Sequence, residues 1–160
     1  LGILNSKLAT YFHFKNSPKA TKGAFPKILV KDIKEFPLKS EYKDVFIEKI
    51  VLYILFLSQR KEVVSSSVSN NHIIQLFEEI IDAMVMELYF KEDFEKTGIE
   101  FIKYVERDFE SIEGKLEEEQ VEIINHSYQK LRQKDNEIRN NLKLMDIKLA
   151  GIVMPIKTGR

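Results

Sequence analysis

The sequence has no cysteine, only six glycines among 160 residues, and no long apolar run. Without cysteine there is neither a disulfide framework nor a thiolate metal site, which is compatible with a cytoplasmic location. Six scattered glycines do not form a glycine-rich cofactor loop. The longest apolar run, residues 50–57, is far shorter than the roughly 18 residues that a membrane-spanning helix needs. We therefore expect a buried element there and no contact with a membrane.

Charge is unevenly distributed along a chain that is formally neutral as a whole. Residues 1–40 contain eight lysines but only two acidic residues, Asp32 and Glu35, so their formal charge is 8 − 2 = +6. Acidic residues outnumber basic ones sixteen to five in residues 65–125, whereas basic residues lead by eight to three in residues 126–160. Because a phosphate backbone repels carboxylates, a nucleic acid should lie against the N-terminal stretch and away from the acidic helices.

Aromatic side chains are interleaved with the N-terminal lysines, at Tyr11, Phe12 and Phe14 and again at Phe25 and Phe36. Lysines bind phosphates by releasing counterions, and flat rings can stack on exposed bases. Local positive charge with interleaved aromatics is therefore typical of a nucleic-acid contact. A solvated, lysine-rich loop is the plainer interpretation of the same composition.

Several short motifs follow one another along the chain. They are Ile3-Leu4-Asn5-Ser6-Lys7-Leu8, Tyr11-Phe12, Phe25-Pro26, Asp32-Ile33-Lys34, Phe36-Pro37-Leu38 and residues 82–90 (DAMVMELYF), followed by residues 128–131 (YQKL) and 135–139 (DNEIR). In order and spacing they resemble the TaqI-like C-terminal specificity domain of adenine-specific DNA methyltransferases and of fused restriction-modification enzymes, often called type IIG. One departure is Met86, where a tyrosine is common in that family.

The resemblance implies that the chain recognises double-stranded DNA and carries no catalytic residue. In that family the S-adenosylmethionine loop and the Asn-Pro-Pro-Tyr-like segment lie N-terminal to this region, so an N-terminal catalytic domain of the same polypeptide is the second implied partner. S-adenosylmethionine, together with Mg²⁺ for a parent that also cleaves DNA, is implied for the parent enzyme and not for this chain. Because the sequence starts at Leu1 without methionine, we expect a piece of a longer protein.

The DNA contacts are predicted at the end of the first helix and in the lysine-rich connector that follows. The predicted phosphate contacts are Lys15, Lys19, Lys22 and Lys27, the candidates for base edges are Asn16, Ser17 and Thr21, and His13 is a candidate for groove contact. No catalytic or metal site is predicted. Asp32 precedes Lys34 as in some nucleases but lacks an acidic partner, and Glu122 with His126 lacks the further ligands that a metal recruits.

Hydrophobic periodicity predicts a mainly α-helical fold, a helical bundle with a small β or loop element near the N-terminus. Helices are predicted over residues 2–14, 30–36, 41–61, 73–90, 97–109, 116–134 and 138–150, with a short strand over residues 25–30 and a frayed tail over residues 152–160. The 41–61 helix should be the most buried, because its apolar residues cover more than one face.

Predicted helix ends come from cap residues. Asn70 or Asn71 should cap one helix, Thr97 and Glu100 should form a capping box, Asp135 or Asn136 should break a helix, and Gly151 should end the last one.

Residues 1–40 would be the end of a DNA target-recognition domain and residues 41–160 a helical bracing domain. The alternative is a helical protein–protein interaction module without direct DNA contact, whose working face would be the acidic helices.

Overall fold

The computed structural model describes residues 2–16, 30–38 and 45–159. The helices in these ranges are α1 (Lys7–Asn16), α2 (Val30–Glu35), α3 (Val45–Gln59), α4 (Asn70–Tyr89), α5 (Lys91–Thr97), α6 (Ile102–Asp108), α7 (Glu117–Leu131), α8 (Glu137–Lys148) and α9 (Ala150–Thr158). The prediction of a mainly helical protein is confirmed for these ranges, whose only β feature is an isolated bridge between Ser65 and Val68. The predicted strand over residues 25–30 lies outside them, except that Val30 begins α2.

Helix α4 is the centre of the fold and contacts α1, α3, α5 and α8. One face of α4 follows the helical repeat and is fully buried, at Ile73, Phe77, Ile80 and Met84. The neighbours of Met84, at positions 83, 85 and 86, are fully buried as well. The first half of α4 is amphipathic, with Gln75, Glu78 and Glu79 exposed, whereas residues 80–86 are buried on every side. The prediction that the 41–61 helix is the most buried was wrong, because in α3 Leu55 is exposed and the α4 side chains form the middle of the core.

An aromatic cluster joins α3 and α4 to the segment after α6. The ring centroids of Tyr53, Phe77 and Phe109 lie 5.6–5.9 Å from one another. The Tyr53 hydroxyl donates to the Glu110 carbonyl at 2.8 Å, which satisfies the polar end of a fully buried side chain. Burial raises the pKa of this hydroxyl, although hydrogen bonding with Ser127 partly opposes the rise.

The residue that caps α4 is Ser69 rather than Asn70 or Asn71. Its side chain accepts a hydrogen bond from the amide of His72. The side chain of Asn70 turns inward instead, accepting from the Val64 amide at 3.1 Å and donating to the Glu62 carbonyl at 3.0 Å. Asn70 therefore holds the turn between α3 and α4, which is a tertiary role that local cap preferences do not show.

Thr97 and Glu100 do not form a capping box, because Thr97 ends α5 rather than beginning the next helix. Its hydroxyl donates back to the carbonyls of Asp93 and Phe94, and Gly98 follows with φ of +69° in the left-handed conformation that commonly closes a helix. The first amides of α6 find their acceptor in a distant residue. Glu87 of α4 accepts from Phe101 and Ile102 at 2.8 and 2.9 Å.

The C-terminal prediction was also wrong, because Gly151 lies inside α9 and residues 152–158 are helical. Helix α9 packs against α1 and α8, and it buries Val153 and Ile156. This packing stabilises a helix that contains both a glycine and Pro155. The predicted break at Asp135 or Asn136 lies between α7 and α8, where the Asn136 side chain caps α8 by accepting from the Arg139 amide.

Within the described ranges, no helix is both long enough and apolar enough to cross a membrane.

Candidate nucleic-acid interface

The N-terminal end of α1 is fixed to α4 by the residues of the Asn-Ser-Lys-Leu motif. Ser6 is buried, its hydroxyl accepts from the Ala9 amide at 3.3 Å, and it donates to the Ile3 carbonyl at 2.7 Å. Asp82 of α4 accepts from the Lys7 amide at 2.7 Å and forms an ion pair with the Lys7 ammonium at 3.3 Å. The motif therefore begins α1 and attaches it to the central helix. Lys7 is consequently a structural lysine, already paired with a carboxylate.

Three aromatic residues hold the other end of α1. The rings of Phe12 and Phe36 meet edge to face at 5.3 Å, and Phe36 lies 5.7 Å from the ring of Tyr89 at the end of α4. The Tyr89 hydroxyl also donates to the Pro37 carbonyl at 2.8 Å. We call Phe12, Phe36 and Tyr89 the aromatic clamp. It joins three motifs that lie far apart in the sequence.

The aromatic clamp joins α1 to the segment after α2, and these two elements lie on either side of the lysine-rich connector in the sequence. Helix α1 ends at Asn16, four residues after Phe12, and the described chain resumes at Val30, six residues before Phe36. Residues 17–29 between them contain three lysines and no acidic residue. The chain is therefore held to α4 both before and after a stretch of sequence that is rich in lysine.

Three of the predicted DNA-contacting residues, His13, Lys15 and Asn16, lie in the last turn of α1. The exposed Lys15 ammonium lies 5.4 Å from the centroid of the Tyr11 ring, and the exposed Asn16 amide donates to the Phe12 carbonyl at 2.8 Å. The ring of His13 is half-buried, 5.9 Å from that of the exposed Phe14. Basic side chains in this turn are favoured by the negative end of the helix dipole.

The other predicted contacts, Ser17, Lys19, Thr21, Lys22 and Lys27, lie outside the described residues. The structure therefore places the first three predicted residues in one helical turn and does not test the others.

Two carboxylates of α4, the buried Asp82 and the partly buried Glu87, each fix a neighbouring helix, and sequence analysis missed their roles. Asp82 fixes α1, whereas Glu87 fixes the start of α6. Burial raises the pKa of Glu87, and the hydrogen bonds from the Ile102 and Phe101 amides only partly oppose it. Their partners are 75 and 14–15 residues away in sequence, so no local pattern reveals them. No group of three potential metal-binding side chains occurs within residues 2–16, 30–38 and 45–159.

An ion-pair cluster joins α6, α7 and α8 on the C-terminal side. Asp108 accepts two hydrogen bonds from Arg107, at 2.6 and 2.8 Å, and one from Lys130 at 2.6 Å, while Arg107 also donates to Glu137. Burial raises the pKa of Asp108, but the bonds from Arg107 and Lys130 outweigh it and hold that pKa below its usual value. The Arg107 hydrogen bonds lower the pKa of Glu137 to about 2. These cations are therefore already neutralised.

The chain matches no protein-family model, no curated protein and no solved structure. Its function must therefore be argued from its own residues and geometry.

Proposed function

We propose that this chain contributes target recognition, not catalysis, to an adenine-specific DNA methyltransferase or a type IIG restriction-modification enzyme of the cytoplasm. Its partners would be double-stranded DNA and the N-terminal catalytic domain of the same polypeptide. S-adenosylmethionine, and Mg²⁺ where the parent cleaves DNA, would bind to that catalytic domain.

The observation that carries the proposal is the aromatic clamp at the base of the cationic connector. A segment held at both ends has fewer conformations to lose when it binds, so more of its electrostatic attraction to phosphates appears as affinity. Phe12, Phe36 and Tyr89 belong to three different motifs of the resemblance, and their contact is consistent with a common role for those motifs. Asp82 of α4 binds Lys7 at the start of α1, and Tyr89 binds Pro37 after α2, so α4 holds the helices that precede and follow the segment proposed to reach the DNA.

The proposed contacts divide by chemistry. Lys15, Lys19, Lys22 and Lys27 would bind backbone phosphates, which fixes the position of the protein on the duplex without reading sequence. The side chains of Asn16, Ser17 and Thr21 carry the hydrogen-bonding groups that base edges recognise, and His13 would contribute a groove contact. The helices that follow would hold this segment in place and pack against the catalytic domain.

The proposal is tested by replacing Lys15, Lys19 and Lys22 with alanine and measuring binding to a random-sequence duplex at several salt concentrations. Each lost phosphate contact lowers the slope of log affinity against log salt by about 0.9, so the triple variant should lose up to about 3 in slope. The matched control replaces three exposed lysines on the acidic side, Lys91, Lys96 and Lys115, and it should retain the slope.

If the salt-dependence slope fell equally in the two triple variants, DNA binding would depend on total charge alone. No DNA binding by the unmodified chain, or no effect of either triple variant, would instead favour the helical protein–protein interaction module. In that case the exposed acidic face of α7, at Glu117, Glu118 and Glu122, would be the surface to test.

A further inference from the structure

A second cationic site lies at the opposite end of α4 from the aromatic clamp. It is a cleft of about 290 Å³ between the start of α4 and the junction of α7 and α8. Its floor contains the buried side chains of Tyr128 and Leu131, and its sides carry His72, Arg132, Arg139 and Glu79. We call it the arginine cleft.

Both guanidinium groups of the arginine cleft are held by neutral partners. Arg139 donates to the carbonyl of Arg132 at 2.8 Å. Arg132 donates to the Ser67 hydroxyl at 3.3 Å, and its guanidinium carbon lies 5.9 Å from the centroid of the Tyr128 ring. Their orientation is therefore set in advance, while most of their N–H donors remain available.

The charges of the two arginines are not balanced by ion pairs. Among the described residues, Arg60 pairs with Glu62 and Glu117, and Arg107 pairs with Asp108 and Glu137, but neither Arg132 nor Arg139 forms an ion pair with a described carboxylate. Two like charges lining one cleft repel each other, and a bound anion would relieve that repulsion.

Helix geometry adds to the positive potential of the arginine cleft. His72 lies in the first turn of α4, a helix of 20 residues, and Arg139 lies in the first turn of α8, which has 12. A helix start carries the partial positive charge of the helix dipole even though Ser69 and Asn136 cap the His72 and Arg139 amides, so two such starts beside one cleft both favour an anion. Glu79 is the opposing carboxylate, one negative charge against two guanidinium groups.

We infer that the arginine cleft binds a phosphate group, either of a nucleotide or of a nucleic-acid backbone. The planar guanidinium offers paired N–H donors that match phosphate oxygens, and two of them converge here on a concave surface. The inference does not rest on the proposed function, because His72 and Tyr89 are 17 residues apart on α4, about 26 Å at the helical rise, so this is a separate site.

The test is an NMR titration of the full chain with inorganic phosphate, following the arginine Nε–H signals and, so that the variants can be compared, the backbone amide signals of His72 and Gln75 in the cleft. The signals of Arg132 and Arg139 should shift saturably. The double variant R132Q/R139Q should lower the affinity by about tenfold or more, since hydrogen bonds to charged groups are the stronger kind. The variant R139K keeps the positive charge but loses the paired N–H donors, so its phosphate affinity should lie between those of the unmodified chain and R132Q/R139Q.

Two further variants separate a built site from general charge. K115Q/K143Q removes two exposed lysines elsewhere on the surface and should leave phosphate affinity unchanged. E79Q removes the opposing carboxylate and should tighten binding. The melting temperature of each variant is measured as well, so that loss of the folded state is not mistaken for loss of phosphate binding.

A second arm measures binding of a short DNA duplex to R132Q/R139Q. Weaker duplex binding than in K115Q/K143Q identifies the ligand as nucleic-acid phosphate, whereas unchanged duplex binding with lost phosphate binding identifies a smaller phosphate ester. The inference is overturned if the Nε–H signals do not shift saturably, if both double variants lose affinity equally, or if E79Q weakens binding.

Discussion

At the scale of single residues, Asp108 is the polar side chain on which the C-terminal half of the fold most depends. Only 2% of its side chain is exposed, and its three hydrogen bonds reach cations on α6 and α7. Arg107 and Lys130 are partly exposed, so water can solvate them if the carboxylate is removed. The cost of removal should therefore be that of lost charged hydrogen bonds, not that of two buried, uncompensated cations.

We predict that Asp108→Asn lowers the free energy of unfolding by about 2 kcal/mol, measured by urea denaturation. The matched control is Asp146→Asn, which breaks an exposed pair with Lys157 and should cost less than about 1 kcal/mol. If the two variants lost equal stability, burial of the Asp108 cluster would not be the source of its contribution.

At the scale of elements, the aromatic clamp couples α1 and α4 to the segment after α2. Phe36 is buried and contacts both Phe12 and Tyr89, so its removal breaks both ring contacts at once. We predict that Phe36→Ala lowers stability by about 3 kcal/mol and also weakens DNA binding, although no charge changes. Unfolding and duplex-binding measurements on the same sample check both effects.

Leu38→Ala is the matched control, because Leu38 is two residues away and 57% exposed. It should change neither quantity appreciably. A Phe36→Ala protein that lost stability but kept full DNA affinity would mean that the clamp serves the fold alone and does not support the connector.

Sequence patterns predicted the elements whose stability is local and missed those that depend on distant partners. The helices around Phe77 and Tyr128 follow from apolar spacing. A helix boundary was predicted at Asp135 or Asn136, and the Asn136 side chain does cap α8 there. Helix α9 was missed because Gly151 and Pro155 disfavour helix locally, while packing on α1 and α8 outweighs them.

The candidate sites show the same division. The excess of lysine in residues 1–40 is visible in composition, but the aromatic clamp needs contacts across more than fifty residues, as between Pro37 and Tyr89. The arginine cleft needs three helices to meet, so in the sequence Arg132 and Arg139 were no more than part of the basic stretch over residues 126–160.

At the scale of the whole molecule, the dependence of stability on pH is the sum of contributions from single carboxyl groups, and these contributions have opposite signs. Asp108 and Glu137 have pKa values below their usual range, so they add stability above about pH 4 that is lost as the pH falls towards the folded-state values. Glu87 acts in the opposite sense. Because burial raises its pKa, its contribution is full below about pH 4 and is lost as the pH rises through the folded-state value.

We predict that the free energy of unfolding falls between pH 5 and about 2, and that D108N/E137Q flattens this fall because its two shifted carboxyls are gone. Urea denaturation across this range measures the slope. E87Q should steepen only the part of this fall above about pH 4, since Glu87 opposes the fall only there. A slope unchanged in both variants would assign acid sensitivity to other carboxyls.

The first described helix, α1, packs against the last, α9, so the two ends of the described chain are in contact. During synthesis on a ribosome, the surface of α1 that receives α9 therefore stays bare until residues 150–158 have left the exit tunnel. A nascent chain that stops before Ala150 would present that surface of α1 without its cover, and chaperones would bind it for longer than the finished polypeptide.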